Sequence, residues 1–518
     1  MADRAQPVSA RAGIGAALVV AALIFGTLAA VVLRAEPGRG LGSADWAALR
    51  FTLIQACLSA GLSVALAIPA ARALARRRFA GRRLLIALLG APFILPVIVA
   101  ILGLLQVFGR AGWLSDVLAL FGLEPVQIYG LHGVVLAHVF FNLPLATRLI
   151  LQGWQEIPAE RFRLAAQLGA DARAMRNLLE YPMLRRVVPG ALAVIFAICL
   201  SSFAVALTLG GGPRATTIEL AIYQAFRFDF DLGRAAMLSG LQLVLTGAAA
   251  LVAVKVAVGE GFGAGLDRPL QRWDGNSTTS RVMDGFWILL AAAFLLLPLA
   301  AIALSGVPGL VGLKASVWTA ALNSILVATL STVLMLVLAL PMATAVALGR
   351  GTVIEVAGIL GLAASPLVIG TGLFIVIYPI ADPFALALPV TALVNAVMAL
   401  PFALRILVPR AKSVVGRYGR LSMSLDMRGL PFVLRVLLPR MRAQIGFSAG
   451  LAAALSMGDL GVVALFADPE FATLPLQVYR LMGAYRMEAA AGAALLLLAL
   501  SMSAFWILDR GGRWHAEA

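Results

Sequence analysis

The fold class is decided by an apolar stretch, WAALRFTLIQACLSAGLSVALAIP, at residues 46–69. An uncharged run extends over residues 52–71, which matches the roughly 20 residues that a helix needs to cross the hydrocarbon core of a bilayer. The stretch lacks the regular polar and apolar alternation of a membrane β-barrel strand. Since hydrocarbon offers no partner to free backbone groups, a helix is the structure that satisfies them. The stretch therefore predicts a transmembrane α-helix.

Eleven more apolar runs of this kind occur in the chain, which has 518 residues, of which 61% are hydrophobic and 13% charged. This composition lies far outside that of soluble domains. The sequence predicts an all-α polytopic membrane protein with about twelve transmembrane helices. The predicted spans cover residues 13–33, 52–71, 84–108, 131–151, 190–209, 236–255, 284–305, 319–347, 353–378, 385–408, 443–467 and 489–508.

The chain contains an internal duplication. The stretch at residues 46–69 is similar to WTAALNSILVATLSTVLMLVLALP at residues 318–341, and Pro182 and Pro439 occupy similar surroundings 257 residues apart. Because six predicted spans precede the middle of the chain and six follow it, both halves enter the membrane in the same direction. The sequence therefore predicts two parallel six-helix repeats.

The predicted boundaries place the first repeat at residues 1–258, a glycine-containing cytoplasmic linker at 259–281 and the second repeat at 282–518. A later pair of similar segments aligns Tyr223 with Tyr479. A chain built in this way can enclose a path at the interface of its two halves. One polypeptide then suffices for a translocation pathway.

The formal net charge of +16 does not indicate a nucleic-acid partner. If the amino terminus is cytoplasmic and the spans alternate, most of the 41 lysines and arginines fall on the cytoplasmic side, most clearly in the loop at residues 72–83. This distribution is the positive-inside bias of membrane proteins. It predicts a multi-pass protein with both termini in the cytoplasm, in contact with lipid and not with nucleic acid.

Residue patterns typical of catalysis and of metal binding are missing from the sequence. A Walker A loop requires a Gly-Lys pair, and the chain has none. His132 and His138 are six residues apart, which does not place them on one helical face. We therefore expect no catalytic residue, no metal site and no cofactor in this chain, and a role other than that of an enzyme.

Two polar, arginine-rich loops interrupt the apolar pattern, at residues 152–189 and 407–442. The first predicts two short amphipathic helices that meet at Gly169, with Pro182 ending the second helix. Such an element suits the docking of a soluble partner, but a basic loop that lies on lipid headgroups has the same composition. The residues alone leave both interpretations open.

The first loop contains RLAAQLGADARAMRNLLEYP (residues 163–182), which resembles the Glu-Ala-Ala loop of bacterial binding-protein-dependent ABC importer permeases. That motif has a pair of small residues, a glycine four residues later and a proline thirteen residues after the glycine. The second loop contains a weaker copy, RLSMSLDMRGLPFVLRVLLP (residues 420–439). The motif positions are occupied by Ala165, Gly169 and Pro182 in the first copy and by Ser422, Asp426 and Pro439 in the second.

The resemblance covers nearly the whole chain and implies a transport function. In that family the two loops are coupling helices that contact two copies of a cytoplasmic ATPase subunit, and the ATPase, not the permease, binds ATP and Mg²⁺. A periplasmic substrate-binding protein delivers the cargo, and the complex lies in the bacterial inner membrane. These properties are expectations for this chain.

Two segments expected on the periplasmic side, residues 207–238 and 456–486, resemble those of fused thiamine transport permeases. Fused ferric-iron permeases share the duplicated layout, and an ion-coupled secondary transporter can also consist of two parallel six-helix halves, so both are alternatives. Because thiamine carries a cationic ring, Glu219 and Asp459 are the acidic residues expected along the cargo path. The competing interpretation is that these acids cap helices or pair with arginines.

Overall fold

The structure is a computed structural model in which six segments of the chain are described. Helices cover the apolar runs in these segments and no β-strand occurs in them, so the predicted all-α class is confirmed. The described residues are 7–35, 40–90, 94–256, 276–349, 351–466 and 471–514.

The first half of the chain contains helices α1 to α12. A π-helical segment, Arg176–Glu180, joins α8 to α9, and a 3₁₀ turn, Pro213–Ala215, precedes α11. The helices are α1 (Arg11–Arg34), α2 (Ser43–Arg76), α3 (Arg82–Leu88), α4 (Val97–Phe108), α5 (Trp113–Leu120), α6 (Leu131–Gln155), α7 (Ala159–Gln167), α8 (Ala172–Met175), α9 (Tyr181–Leu200), α10 (Phe203–Leu209), α11 (Ile218–Arg227) and α12 (Leu232–Val256).

The second half contains helices α13 to α22. A second π-helical segment, Val433–Leu437, joins α18 to α19. The helices are α13 (Thr278–Gly309), α14 (Ala315–Ala347), α15 (Gly351–Ala363), α16 (Pro366–Ile377), α17 (Ala387–Ser424), α18 (Leu430–Phe432), α19 (Leu438–Met457), α20 (Gly461–Phe466), α21 (Leu474–Gly483) and α22 (Met487–Arg513).

Eleven helical segments of the described chain are long and apolar enough to cross a membrane, judged by length and composition. The predicted span at residues 353–378 is not one helix but the pair α15 and α16. The break comes at Ser365, which is extended (φ −67°, ψ 145°) and precedes Pro366. A proline disfavours helical geometry in the residue before it, while its own fixed φ suits the first turn of a new helix.

Two predicted spans in the first half are divided in a similar way. The run at residues 84–108 is shared between α3 and α4, and Pro96 directly precedes α4. The run at residues 190–209 is shared between α9, which ends at Leu200, and the short helix α10. Hydropathy alone does not show these breaks, because all the residues around them are apolar or small.

Small side chains line the contacts between the central helices of each half. In the first half α2 packs against α6 and α9, and in the second half α14 packs against α17 and α19. Because lipid is as apolar as the helix surface, close approach through small residues and hydrogen bonds is what favours association. The small buried residues of α2 include Ala48, Thr52, Ala56, Ser59, Ala60, Ser63 and Ala67.

A hydroxyl from the second helix of each half caps a later helix. Thr52 Oγ1 accepts a hydrogen bond of 2.9 Å from the N–H of Ile218, the first residue of α11. Ser324 Oγ accepts one of 2.8 Å from the N–H of Leu474, the first residue of α21. The two halves therefore place α11 and α21 against α2 and α14 through the same kind of contact.

The first helix of each half packs against the other half. Helix α1 lies against α14, α15 and α16, while α13 lies against α2 and α4. The contacts are close: a Cβ added at Gly103 in α4 would lie 2.5 Å from Pro298 O, and one added at Gly372 in α16 would lie 2.5 Å from Thr27 O. The two halves are therefore interlocked by an exchange of their first helices.

Most of the predicted linker, residues 259–281, lies outside the described residues, and α13 already begins at Thr278. Near its start, the carboxylate of Asp284 accepts hydrogen bonds of 2.7 Å from both Arg76 Nη2 and Arg77 Nε at the end of α2. Asp284 is buried. This charged contact ties α13 to the first half beside the connection between the halves.

Candidate functional site

The first candidate coupling segment turns at Gly169, after α7. Gly169 has a φ of +67°, its N–H donates to Ala166 O (3.1 Å), and the N–H of Ala170 donates to Ala165 O (3.0 Å). These two bonds form a Schellman motif, which satisfies carbonyls at the end of a helix. A Cβ at position 169 would meet no atom within 4 Å, so glycine is favoured here by its backbone conformation and not by lack of space.

The second candidate coupling segment makes the same turn at Asp426, after α17. Asp426 has a φ of +52°, its N–H donates to Met423 O (3.2 Å), and the N–H of Met427 donates to Ser422 O (2.8 Å). Aspartate is among the few L-residues that visit the left-handed region. The motif residues Ser422 and Asp426 thus occupy the places that Ala165 and Gly169 occupy in the first copy.

Each turn presents a pair of exposed leucines. Leu164 is 56% exposed and its counterpart Leu421 is 55% exposed; Leu168 is 75% exposed and its counterpart Leu425 is 62% exposed. Apolar side chains that are matched in position and left this open are typical of a surface that a partner covers. Both segments therefore offer a small apolar surface beside a left-handed turn.

The chain stays helical through Pro182, contrary to the predicted helix end. The π-helical segment Arg176–Glu180 leads directly into α9, and Pro182 lies in the first turn of α9. In the second copy Val433–Leu437 leads into α19 and Pro439 has the same position. A proline lacks an N–H and its ring clashes with the carbonyl four residues earlier, and the wider π turn accommodates both effects.

The two copies differ in how the coupling segment is connected to the transmembrane helix before it. Helix α6 ends at Gln155, and Pro158 is the N-cap of the separate helix α7. In the second copy Val415 replaces Pro158, and α17 continues without a break to Ser424. About half of the predicted loop at residues 407–442 is therefore the last part of a long helix.

An ion pair links the first coupling segment to a span. Arg72 Nε near the end of α2 lies 3.0 Å from Glu180 Oε2, and the Glu180 side chain is only 4% exposed. The second copy has Thr344 and Leu437 at the two matching positions. The first segment is thus attached to α2 by a charged contact that the second segment replaces with smaller and apolar groups.

Glu219 lies in α11, outside the candidate spans, and is buried where α11 meets the second half. Its Oε1 accepts a hydrogen bond of 3.0 Å from Gln242 Nε2, and Ser365, the N-cap of α16, is a second polar neighbour of the carboxyl group. Burial raises the pKa of Glu219 to about 7, although Ser365 and Gln242 act in the opposite direction. The partners of this carboxyl group are therefore polar neutral groups, one from each half.

Asp459 lies between α19 and α20. Its Oδ1 accepts a hydrogen bond of 3.2 Å from the N–H of Gly461, the first residue of α20. The matching residue in the first half is Ser202, the N-cap of α10, whose Oγ bonds to His138 Nε2 (2.7 Å). Asp459 therefore occupies a helix-capping position, in line with the competing interpretation of these acids.

Two tyrosines that the sequence aligns lie in corresponding short helices of the two halves. Tyr223 in α11 interacts electrostatically with Tyr479 in α21. Burial raises the pKa of both phenols; Arg227 and Arg480 act in the opposite direction on Tyr223. The two phenols are therefore near enough to influence each other's ionisation, and each comes from the equivalent position of its repeat.

Aromatic rings from the two halves contact each other directly. The rings of Phe226 and Phe374 are edge to face with centroids 4.4 Å apart, and the Arg227 guanidinium lies 5.9 Å from the centroid of the Phe384 ring. Sequence reasoning missed these residues, because single aromatics in apolar segments give no signal of a shared location. We refer to Phe226, Phe374 and Phe384, whose rings are joined through Phe374, as the inter-half aromatic cluster.

Comparison with known proteins gives close relatives over nearly the whole chain, while no protein-family model matches it. The thiamine transport system permease protein of Salmonella typhimurium strain LT2 is 38% identical over 483 residues, covering 91% of this chain and 90% of the relative. That of Brucella abortus strain 2308 is 38% identical over 514 residues, covering 96% and 94%. That of Escherichia coli strain K12 is 38% identical over 478 residues, covering 90% and 89%.

Proposed function

Since the chain belongs to the thiamine transport system permease family, we propose that it forms the membrane path of an ABC importer for thiamine and its phosphates. The observation that carries this function is the identity to thiamine permeases over at least 90% of the chain, which includes both coupling segments. The ferric-iron permease and the ion-coupled transporter are not favoured by these relatives. The chain is a transport subunit of the inner membrane.

The two coupling segments are the contact sites for ATPase subunits. Each consists of a Schellman turn, with Gly169 or Asp426 at its left-handed position, and of the exposed leucines beside it. Because both segments belong to one chain, one copy of the permease binds two copies of the ATPase. ATP and Mg²⁺ are held by those subunits, both termini of the permease are cytoplasmic, and a periplasmic binding protein delivers the cargo on the opposite side.

Movement of the coupling segments can be transmitted to the translocation path through their contacts with the transmembrane helices. The Arg72–Glu180 pair attaches the first segment to α2, and α2 packs against α13 of the other half. The second segment is continuous with α17, which packs against α14. Coupling between distant sites requires a structural element that can adopt two arrangements. Rotation of the two halves against each other provides these two arrangements.

The inter-half aromatic cluster is the barrier that such a rotation opens. Its rings come from both halves, so separation of the halves exposes the space between them. Glu219 lies close to this contact and is the candidate cargo-path carboxylate, since its partners are the neutral Gln242 and Ser365. Asp459 is the second candidate, although its carboxylate already caps α20.

The experiment that tests the function is reconstitution of the permease with its ATPase in proteoliposomes. ATP hydrolysis is measured with the binding protein added empty, loaded with thiamine or loaded with ferric iron. We expect hydrolysis to rise only with the thiamine-loaded protein, together with uptake of labelled thiamine. Stimulation by the iron-loaded protein alone would contradict the thiamine assignment, and uptake that needs an ion gradient but no ATP would contradict the ABC mechanism.

A further inference from the structure

The N-terminal end of the described chain lies against the second coupling segment. The N–H of Gly429, three residues after the Asp426 turn, donates a 2.7 Å hydrogen bond to Pro7 O. Pro7 is buried, and its Cγ lies 3.7 Å from the place that a Cβ at Gly419 would occupy. Pro7 thus contacts the chain both before and after the turn.

Val8, the next residue, also packs against the protein. It is partly buried and packs against the main hydrophobic core, while Ser9 is exposed and its Oγ accepts a hydrogen bond of 3.2 Å from the N–H of Arg11 at the start of α1. Pro7 therefore contacts the second coupling segment, and Val8 packs against the core just before α1.

After its turn, the first coupling segment is held by a different contact. There Asp171 is the N-cap of α8, and its Oδ1 accepts a hydrogen bond of 2.7 Å from the N–H of Ala174. The matching positions in the second copy hold Arg428 and Pro431. An arginine side chain cannot accept a hydrogen bond and a proline has no N–H to donate, so the second copy cannot form this cap.

We propose that Pro7 and Val8 are positioning residues for the second coupling segment, with the Pro7 carbonyl holding the chain at Gly429, just before α18, while in the first segment the Asp171 side chain holds the chain at the start of α8. The inference rests on the proposed function, because it requires the segment to contact an ATPase subunit. The two residues act through the turn and contact neither nucleotide nor cargo. Both residues precede α1, which packs against the second half. The contact between the N-terminal part of the chain and the second half therefore extends from the transmembrane helices to the proposed ATPase contact.

The experiment compares two deletions that differ only by the positioning residues. One variant lacks residues 2–8, and the matched control lacks residues 2–6 and keeps Pro7 and Val8. In a chain with Cys57→Ser and Cys199→Ser, a single cysteine replaces either Leu425 or Leu168 and carries a benzophenone label. The measured quantity is the yield of photo-cross-linked permease and ATPase in proteoliposomes, normalised to inserted permease.

We expect the longer deletion to lower the yield from position 425 at least about threefold, as loss of one hydrogen bond from the docking-competent turn predicts. The yield from position 168 stays unchanged, and the shorter deletion changes neither. In the full chain, Val8→Asp should reproduce the selective loss and Val8→Ile should not.

An equal yield from position 425 in both deletions would overturn the inference, as would an equal fall at positions 425 and 168. Failure of both positions to cross-link in the undeleted chain would instead contradict the proposed function, because neither segment would then contact an ATPase. The two failures are therefore distinguishable.

Discussion

Gly169 and Asp426 lie 257 residues apart and share a left-handed backbone, with φ values of +67° and +52°. The same pair of Schellman hydrogen bonds closes both turns, so the geometry is common to both copies while the residue type differs. A left-handed conformation costs an L-residue about 1–2 kcal/mol and costs glycine almost nothing. The two turns therefore have one shape but different intrinsic stabilities.

Replacement by valine should harm the first turn more than the second. At position 169, valine adds the full free-energy cost of a β-branched residue at positive φ, because glycine has almost no such cost. At position 426, aspartate already bears part of this free-energy cost, so Asp426→Val adds less. We expect a large loss of cargo-stimulated ATPase activity for Gly169→Val and a smaller loss for Asp426→Val, measured per inserted permease in proteoliposomes. Gly169→Asn is the control, since asparagine tolerates this backbone. Full stimulation in Gly169→Val would show that the turn has no role in docking.

The opposite change should strengthen the second turn. Asp426→Gly removes the left-handed penalty, worth about 1 kcal/mol, which corresponds to a roughly fivefold smaller equilibrium constant for opening of the turn. Hydrogen exchange of the Met427 N–H, which bonds to Ser422 O, reports this opening. Gly169→Asp provides the reverse test, with faster exchange at the N–H of Ala170. Unchanged exchange in both variants would contradict the assignment of strain to Asp426.

The sequence could predict some of these features and not others, for physical reasons. Gly169 follows an amphipathic helix, where glycine is the usual C-terminal residue, so its turn was predictable. Asp426 gives no such signal by itself, and only its position in the duplication indicates the same turn. The π turns before Pro182 and Pro439 were not predictable, because proline normally ends a helix. The Arg72–Glu180 pair joins residues 108 positions apart, and local patterns carry no information on such contacts.

The Arg72–Glu180 pair should show a compensating double substitution. Arg72→Thr leaves a buried carboxylate without this partner, and we expect a loss of at least about 2 kcal/mol in stability. Adding Glu180→Leu removes the charge and reproduces the Thr344 and Leu437 arrangement of the second half, so much of the loss should be recovered. The thermal unfolding midpoints of the detergent-solubilised single and double variants measure the loss of stability and its recovery. A double variant less stable than Arg72→Thr alone would refute this account.

The exchange of first helices predicts a steric difference between two glycines. Gly103→Ala places a Cβ 2.5 Å from Pro298 O in α13, and overpacking of this kind costs about 1–3 kcal/mol. Gly416→Ala, on an open face of α17 where a Cβ meets nothing within 4 Å, should raise stability by up to about 1 kcal/mol. Thermal midpoints of the two variants should move in opposite directions. Equal midpoints would mean that α4 and α13 do not approach closely.

The proposed orientation can be tested by labelling. In a variant without Cys57 and Cys199, Ala80→Cys lies in the basic loop after α2 and should be protected from a membrane-impermeant reagent added to whole cells. Glu124→Cys, in the segment between α5 and α6, should react. Labelling of position 80 and protection of position 124 would reverse the orientation.

The exchange of first helices also affects how the protein is made. The buried face of α1 packs against helices of the second half, and the last of these, α16, begins only at Pro366. At the usual rate of translation, roughly 330 residues take about 15–65 s, and for that time α1 has inserted but lacks its final neighbours. Two separate half-chains would first have to meet by diffusion in the bilayer and then exchange their first helices. Fusion into one chain makes this exchange an intramolecular step, which is completed only after α16 has been synthesised.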